Sequence, residues 1–232
     1  MSDISIDVVS DVVCPWCFIG KRNLDAALEA WRAEQPGCEV TVQWRPFFLN
    51  PDTPEAGEPY RPFLEKKFGG PEKLAEIWQQ VGAAGRKAGI EFAFDKIELR
   101  ANTLHAHRLI DLAQRIANSG IHTDGSGSAA VAALVEALFA AQFLDGRHVG
   151  DRAVLAAIAG ECGMDAEAVR RYLDSDEMAE AVRGDAEEAR RLGISGVPFF
   201  IFNNALAASG AQPPDALLKA MREATLQAPA AA

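Results

Sequence analysis

The apolar run Ile4 to Val9, with Ile6 and Val8 alternating against Ser5 and Asp7, predicts a short buried β-strand at the start of the chain. From Phe18 to Arg32 the period changes: Leu24, Leu28 and Trp31 fall on one face of a predicted helix. Val40, Val42, Trp44 and Phe48 then alternate with Thr41, Gln43 and Arg45, predicting a second strand that ends near Phe48. Pro51, Pro54, Gly57, Pro59 and Pro62 make the next segment a turn or linker leaving the sheet.

From there to about Leu192 helical spacing dominates, in Leu74/Ile77/Trp78/Val81, Leu109/Leu112/Ile116 and Val131/Leu134/Val135/Leu138/Phe139. Asp151 and Asp165 are candidate N-caps, Gly193 ends a helix begun near Ser175, and the stretch between Asn118 and Ser128 reads as a flexible Gly/Ser loop. Extended structure returns at Val197 to Phe202, whose unbroken apolar run suits a strand buried on both faces. Asn203-Asn204 offers a hairpin turn to a return strand at Ala205 to Ser209, and Pro213-Pro214-Asp215 opens a final helix, with a frayed tail after Gln227. The order strand, helix, strand, helical block, two strands, helix is that of an α/β, thioredoxin-like fold interrupted by a long all-helical insertion. The thioredoxin-like part spans residues 1–62 and 193–232, and the inserted helical domain spans 63–192. No fixed-period repeat is present.

The balance of 49% apolar to 24% charged residues belongs to a folded globular chain rather than a disordered one. A net charge of −10 argues against nucleic acid and anionic membrane surfaces as partners. The most membrane-like stretch, Ser128 to Leu144, is interrupted by Glu136 and Gln142 and reads as a core helix. The N-terminus carries no secretory pattern, so a cytoplasmic location is expected.

Candidate chemistry concentrates at Cys14-Pro15-Trp16-Cys17, on a strand-to-helix junction. Unpaired N–H groups and the positive end of the helix dipole favour a thiolate there, which makes Cys14 the predicted nucleophile. Pro15 is tolerated in the first turn, and Cys17 at i+3 is the predicted resolving thiol. Trp16 suits an apolar lip for substrate or a shield over Cys17. No second Cys or His pair follows at zinc spacing, so no metal is expected. Cys38, in a turn, and Cys162, ending a helix, read as incidental thiols. His105 shares a stripe with Leu109 and Leu112 and reads as a packed, hydrogen-bonded histidine. His107 lies elsewhere on that helix with no catalytic partner nearby in sequence, Asn102 or Thr103 suits a helix cap, and Asp11 reads as an exposed loop acid.

Several fragments, spread over almost the whole chain, resemble the DsbA family of the thioredoxin superfamily, in its FrnE-like branch. They are Asp11-Val12-Val13-Cys14-Pro15-Trp16-Cys17-Phe18-Ile19-Gly20-Lys21-Arg22, Trp44-Arg45-Pro46-Phe47, Asn102-Thr103 with Ala106-His107-Arg108-Leu109, Gly196-Val197-Pro198-Phe199-Phe200 and Ser209-Gly210-Ala211-Gln212-Pro213. The resemblance implies a cis Val197-Pro198 peptide beside the two cysteines, with Val197 and Pro198 positioning substrate. It also implies that Asn102 and His107 lie near the active cleft, and with Pro15 and Trp16 they complete the candidate substrate-binding set. The Pro-Trp dipeptide lacks the histidine of the strongly oxidising members, and no cysteine beyond Cys162 supplies a second C-terminal pair.

Three functions follow. The first is a thiol–disulfide oxidoreductase acting on a thiol or disulfide substrate, protein or small molecule, with no bound cofactor and glutathione as a conceivable co-substrate. The second is a glutathione-dependent isomerase or transferase similar to the kappa-class transferases and hydroxychromene carboxylate isomerases, against which the retained Cys17 argues. The third is a non-catalytic holdase using the apolar surface near Trp16 and Phe199. A homodimer is left open as the assembly.

Overall fold

The computed structural model describes residues 3–119 and 126–227. β1 (Ile4–Ser10) leads through a short turn into α1 (Pro15–Glu34) and then β2 (Val40–Pro46), which pairs in parallel with β1. After the helical block the chain returns in β5 (Phe199–Phe202), antiparallel to β1, and β6 (Leu206–Ser209), antiparallel to β5. The sheet order is β2-β1-β5-β6, with β1 and β5 central, and α9 (Pro214–Gln227) packs against α1. Asn203 and Asn204 both take positive φ, 49° and 53°, as the hairpin turn requires.

β5 departs in one respect from the expected two-sided burial. Phe200 and Phe202 are fully buried, whereas Phe199 and Ile201 are half-buried on the opposite face, against Val9, Phe47, Ala189 and Ile194.

Between β2 and β5 lie β3 (Glu58–Pro59), α2 (Tyr60–Phe68), α3 (Pro71–Lys87), β4 (Leu99–Arg100), α4 (Leu104–Ala117), α5 (Ser126–Ala140), α6 (Arg152–Glu161), α7 (Ala166–Asp174) and α8 (Ala179–Arg191). The proline-rich segment expected to be only turn or linker thus contains the start of α2. Pro62 sits in that helix's first turn, where a missing N–H costs nothing. Likewise the block is not helical throughout, because β3 and β4 pair as a two-stranded sheet. Asp151 and Asp165 cap α6 and α7, accepting from Val154 at 3.0 Å and Ala168 at 3.0 Å.

The apolar helix at Gly127–Asp145 is long enough to cross a membrane, but half of it is buried inside the protein. Leu134, Leu138 and Phe139 of α5 join Phe18 of α1 and Phe200 of β5 in one continuous core, so sheet and insertion are held by shared packing. Phe18 stacks on Phe139 at 5.2 Å, in the same buried core as the two cysteines. The expected Gly/Ser loop lies mostly, and the expected frayed tail wholly, outside the described residues.

Candidate active site

Cys14 is the residue before the first turn of α1, with extended backbone (φ −98°, ψ 111°) and Pro15 next. Its carbonyl accepts from Cys17 N at 3.0 Å, which begins the helix and sets the two side chains one turn apart. The Cys14 thiol donates to the Val197 carbonyl at 3.7 Å, and the Val197-Pro198 bond is cis. Pro198 is held in turn by its own carbonyl, which accepts from Gly210 N at 2.8 Å. Cys14 is 4% exposed and Cys17 1%, while Trp16 between them is 42% exposed. The tryptophan side chain is therefore open to solvent although both flanking cysteines are buried.

Burial pushes the Cys17 thiol well above its ordinary value, and interaction of that thiol, as donor, with a Cys14 thiolate pushes the same way. The Asp11 backbone and the Ser10 side chain oppose the rise. Cys17 therefore rests as a neutral thiol behind Cys14.

Asp11 is not an exposed loop acid: it is 1% exposed, because the β1–α1 turn folds it under the chain that follows β2. Its Oδ2 accepts from Leu49 N at 2.8 Å. Its Oδ1 lies 3.4 Å from His107 Nε2, an ion-pair distance without the alignment of a hydrogen bond. His107, predicted to contact substrate, is 5% exposed and stands behind Asp11 with its ring edge-on to Phe48. The partner that local sequence could not supply comes from a distant loop.

Over residues 5–222 the chain matches the DSBA-like thioredoxin domain. It belongs to that family. A probable DsbA oxidoreductase from Streptomyces coelicolor is 30% identical, with a TM-score of 0.82 over 99% of this chain and 93% of that one. An uncharacterized protein of Bacillus subtilis, YwbO, is 27% identical over 95% of this chain and 96% of its own. The fold is also that of the cytosolic disulfide reductase DsbM from Pseudomonas aeruginosa, whose structure contains glutathione (20% identity, TM-score 0.64, 96% and 99% covered).

In this DSBA-like chain Asn102 is an architectural residue as well as a site candidate. Its Oδ1 accepts from Leu104 N at 3.0 Å at the start of α4, and its Nδ2 donates to the Thr53 carbonyl at 2.7 Å. Thr103, the alternative cap, makes no side-chain cap bond. Asn102 also borders a cavity of about 220 Å³ with Asn50, Arg183 and Arg190. His105 is packed as expected, between Arg108 (2.9 Å) and Arg152 (3.0 Å), with Glu55 at 3.3 Å.

The roles of two residues escape sequence reasoning. Tyr60 is buried close enough to Cys14 that, after burial itself, a Cys14 thiolate pushes its phenol upward. It begins a helix inside the proline-rich stretch, so no periodicity marks it. Arg108 is fully buried and donates to the carbonyls of Tyr172, Leu173, Ser175 and Glu177. The sequence marks it as an arginine amid an apolar helix pattern and as part of the Ala106-His107-Arg108-Leu109 fragment, and neither signal tells which carbonyls it holds. Cys38 belongs to the turn before β2 and Cys162 ends α6, where burial raises its thiol.

Proposed function

We propose that the protein is a thiol–disulfide oxidoreductase in which Cys14 is the nucleophile and Cys17 the resolving thiol. The observation that carries this reading is the placement of the two cysteines: Cys14 just before α1 with its thiol against the Val197 carbonyl, and Cys17 in the first turn of the same helix and buried. A Cys14 thiolate attacks one sulfur of a substrate disulfide, forming a mixed disulfide and expelling the other sulfur as thiolate. Cys17, deprotonated, then attacks the Cys14 sulfur and expels the second thiolate. The substrate gains two electrons and two protons, and the cysteine pair becomes a disulfide. The reverse sequence oxidises a dithiol.

Val197 and Pro198 position the segment carrying the attacked sulfur, with Pro15 and Trp16 as its lip and Asn102 as a further contact. Glutathione fits this reading as a co-substrate of the pair, and the cytosolic DsbM lends support to a cytoplasmic, glutathione-coupled setting. The glutathione-dependent isomerase reading is weaker, because it leaves the buried Cys17 with nothing to do. Reduction of a protein disulfide by the unaltered chain and by Cys14→Ser separates these readings. Loss of turnover in Cys14→Ser supports exchange, and an unimpaired rate refutes it.

A further inference from the structure

The Cys14 thiol donates to the Val197 carbonyl at 3.7 Å, and this bond depends on a proton that dithiol exchange removes. A thiolate or a disulfide sulfur at Cys14 has nothing to donate, and a thiolate sets negative charge against the carbonyl oxygen. The loop that presents Val197 to substrate therefore loses this tether when it is needed. Val197 and Pro198 also precede β5, which begins at Phe199, and Pro198 has no N–H to offer a neighbouring strand.

A second tether reaches the same loop from the turn between β6 and α9. The Pro198 carbonyl accepts from Gly210 N at 2.8 Å, and the Gly210 carbonyl accepts from Gln212 N at 2.8 Å. The Gln212 side chain closes the turn by donating to Ser209 O at 2.7 Å. Asn23 Nδ2, on α1, then donates to the Gln212 carbonyl at 2.8 Å. No member of this chain of bonds titrates or exchanges electrons. Asn23 lies on the same helix as the cysteine pair, roughly 14 Å along its axis from Cys14. At i+3 it shares a helix face with Gly20, which packs against the Pro198 ring. Helix α1 thus meets the loop at three levels, thiol, glycine and amide, and the thiol alone changes with redox state.

We infer that Asn23 and Gln212 form a latch that keeps Val197 and Pro198 in place while Cys14 is a thiolate, a mixed disulfide or half of the Cys14–Cys17 disulfide. This rests on the dithiol-exchange reading and deepens it. Neither side chain bonds to a reacting sulfur, so both are positioning residues rather than catalytic ones. In the reduced protein the thiol and the latch share the work of holding the loop. In the oxidised protein the latch holds it without the thiol. Breaking the latch therefore costs the oxidised form more than the reduced one and pushes the cysteine pair towards the dithiol.

The test equilibrates the full chain with mixtures of reduced and oxidised glutathione. One molecule of glutathione disulfide takes two electrons and two protons from Cys14 and Cys17 and leaves as two glutathione thiols. The fraction of protein disulfide is read by mass spectrometry in the unaltered chain, Asn23→Leu and Gln212→Leu. We expect both variants to lower the equilibrium constant for disulfide formation by about three- to tenfold, the scale of one net hydrogen bond. Urea unfolding should agree, with the oxidised form of each variant losing more stability than its reduced form. An unchanged constant, with both forms destabilised alike, would overturn the latch and leave dithiol exchange intact. A Cys14–Cys17 disulfide that never forms in the unaltered chain would instead remove the reading on which the latch stands. Asn23→Ala, which trims a half-buried side chain within α1, decides alone if a leucine variant does not fold.

Discussion

Gly20 and Pro198 meet so closely that a β-carbon on the glycine would lie 2.8 Å from the proline Cγ and 3.2 Å from the Phe200 ring. The turn of α1 below the cysteines is thereby fitted to the loop that carries Val197. In an open helix Gly→Ala gains about 0.5–1 kcal/mol. Here Gly20→Ala is expected to destabilise instead, by about 1–3 kcal/mol of overpacking. It should also slow alkylation of Cys14, because the proline loop must shift beside it. Denaturant midpoints and iodoacetamide kinetics measure both, and a stabilised variant with unchanged Cys14 kinetics would contradict the fit.

Arg108 closes the end of α7 by giving its guanidinium donors to carbonyls at 2.9 Å (Tyr172), 3.2 Å (Leu173), 2.8 Å (Ser175) and 2.9 Å (Glu177). Arg108→Met should cost about 3 kcal/mol or more, since four carbonyls lose charged donors, the one on Leu173 being buried and the other three partly so. Arg108→Lys should recover little, because one ammonium cannot span the fork. Chemical denaturation reads both effects. A change below about 1 kcal/mol in both variants would show that the carbonyls find other partners.

Burial holds the His105 imidazole below its ordinary value, with Arg152 and Arg108 adding to the effect, although Glu55 opposes it. Burial depresses His148 as well. In the unfolded chain both protonate near pH 6.5, whereas the folded chain resists, so the unfolded state binds more protons as pH falls. Stability should therefore decline as pH drops below about 6.5, until the folded-state values are passed. Thermal unfolding from about pH 8 to 5 would show this, and His105→Gln should flatten the curve. An acid decline of the same size in that variant would exclude His105 as a source.

Cys17 gives the opposite pH signature in the reduced protein. Its raised thiol stays protonated when the unfolded chain's cysteine, near 8.5, has ionised. The stability this contributes is complete below that value and is lost as pH rises towards the folded-state value. Reduced protein should thus lose stability above about pH 8.5 faster than its Cys17→Ala variant, and calorimetry of the two across that range is the check. Identical alkaline curves would mean that Cys17 does not stay neutral in the folded state.

Legibility in the sequence followed locality. The strand Ile4–Ser10, the helix beginning at Pro15 and the caps at Asp151 and Asp165 were readable because each depends on neighbours within a few residues. The cis Val197-Pro198 bond was implied by family resemblance alone, since spacing does not encode peptide geometry. Asp11 was misread because a loop carboxylate is usually solvated; only the fold brings His107 and Leu49 to it. Tyr60 was hidden for a related reason, as prolines that look like breakers in a row of residues are harmless in the first turn of α2.

The most direct test is the redox state of Cys14 and Cys17, read by mass spectrometry after equilibration of the full chain in glutathione buffers from reducing to oxidising. The dithiol account predicts one reversible two-electron transition to an intramolecular Cys14–Cys17 disulfide, absent in Cys14→Ser. Two thiols that stay reduced at the oxidising end, or a Cys14–glutathione adduct that accumulates without resolution by Cys17, would contradict it.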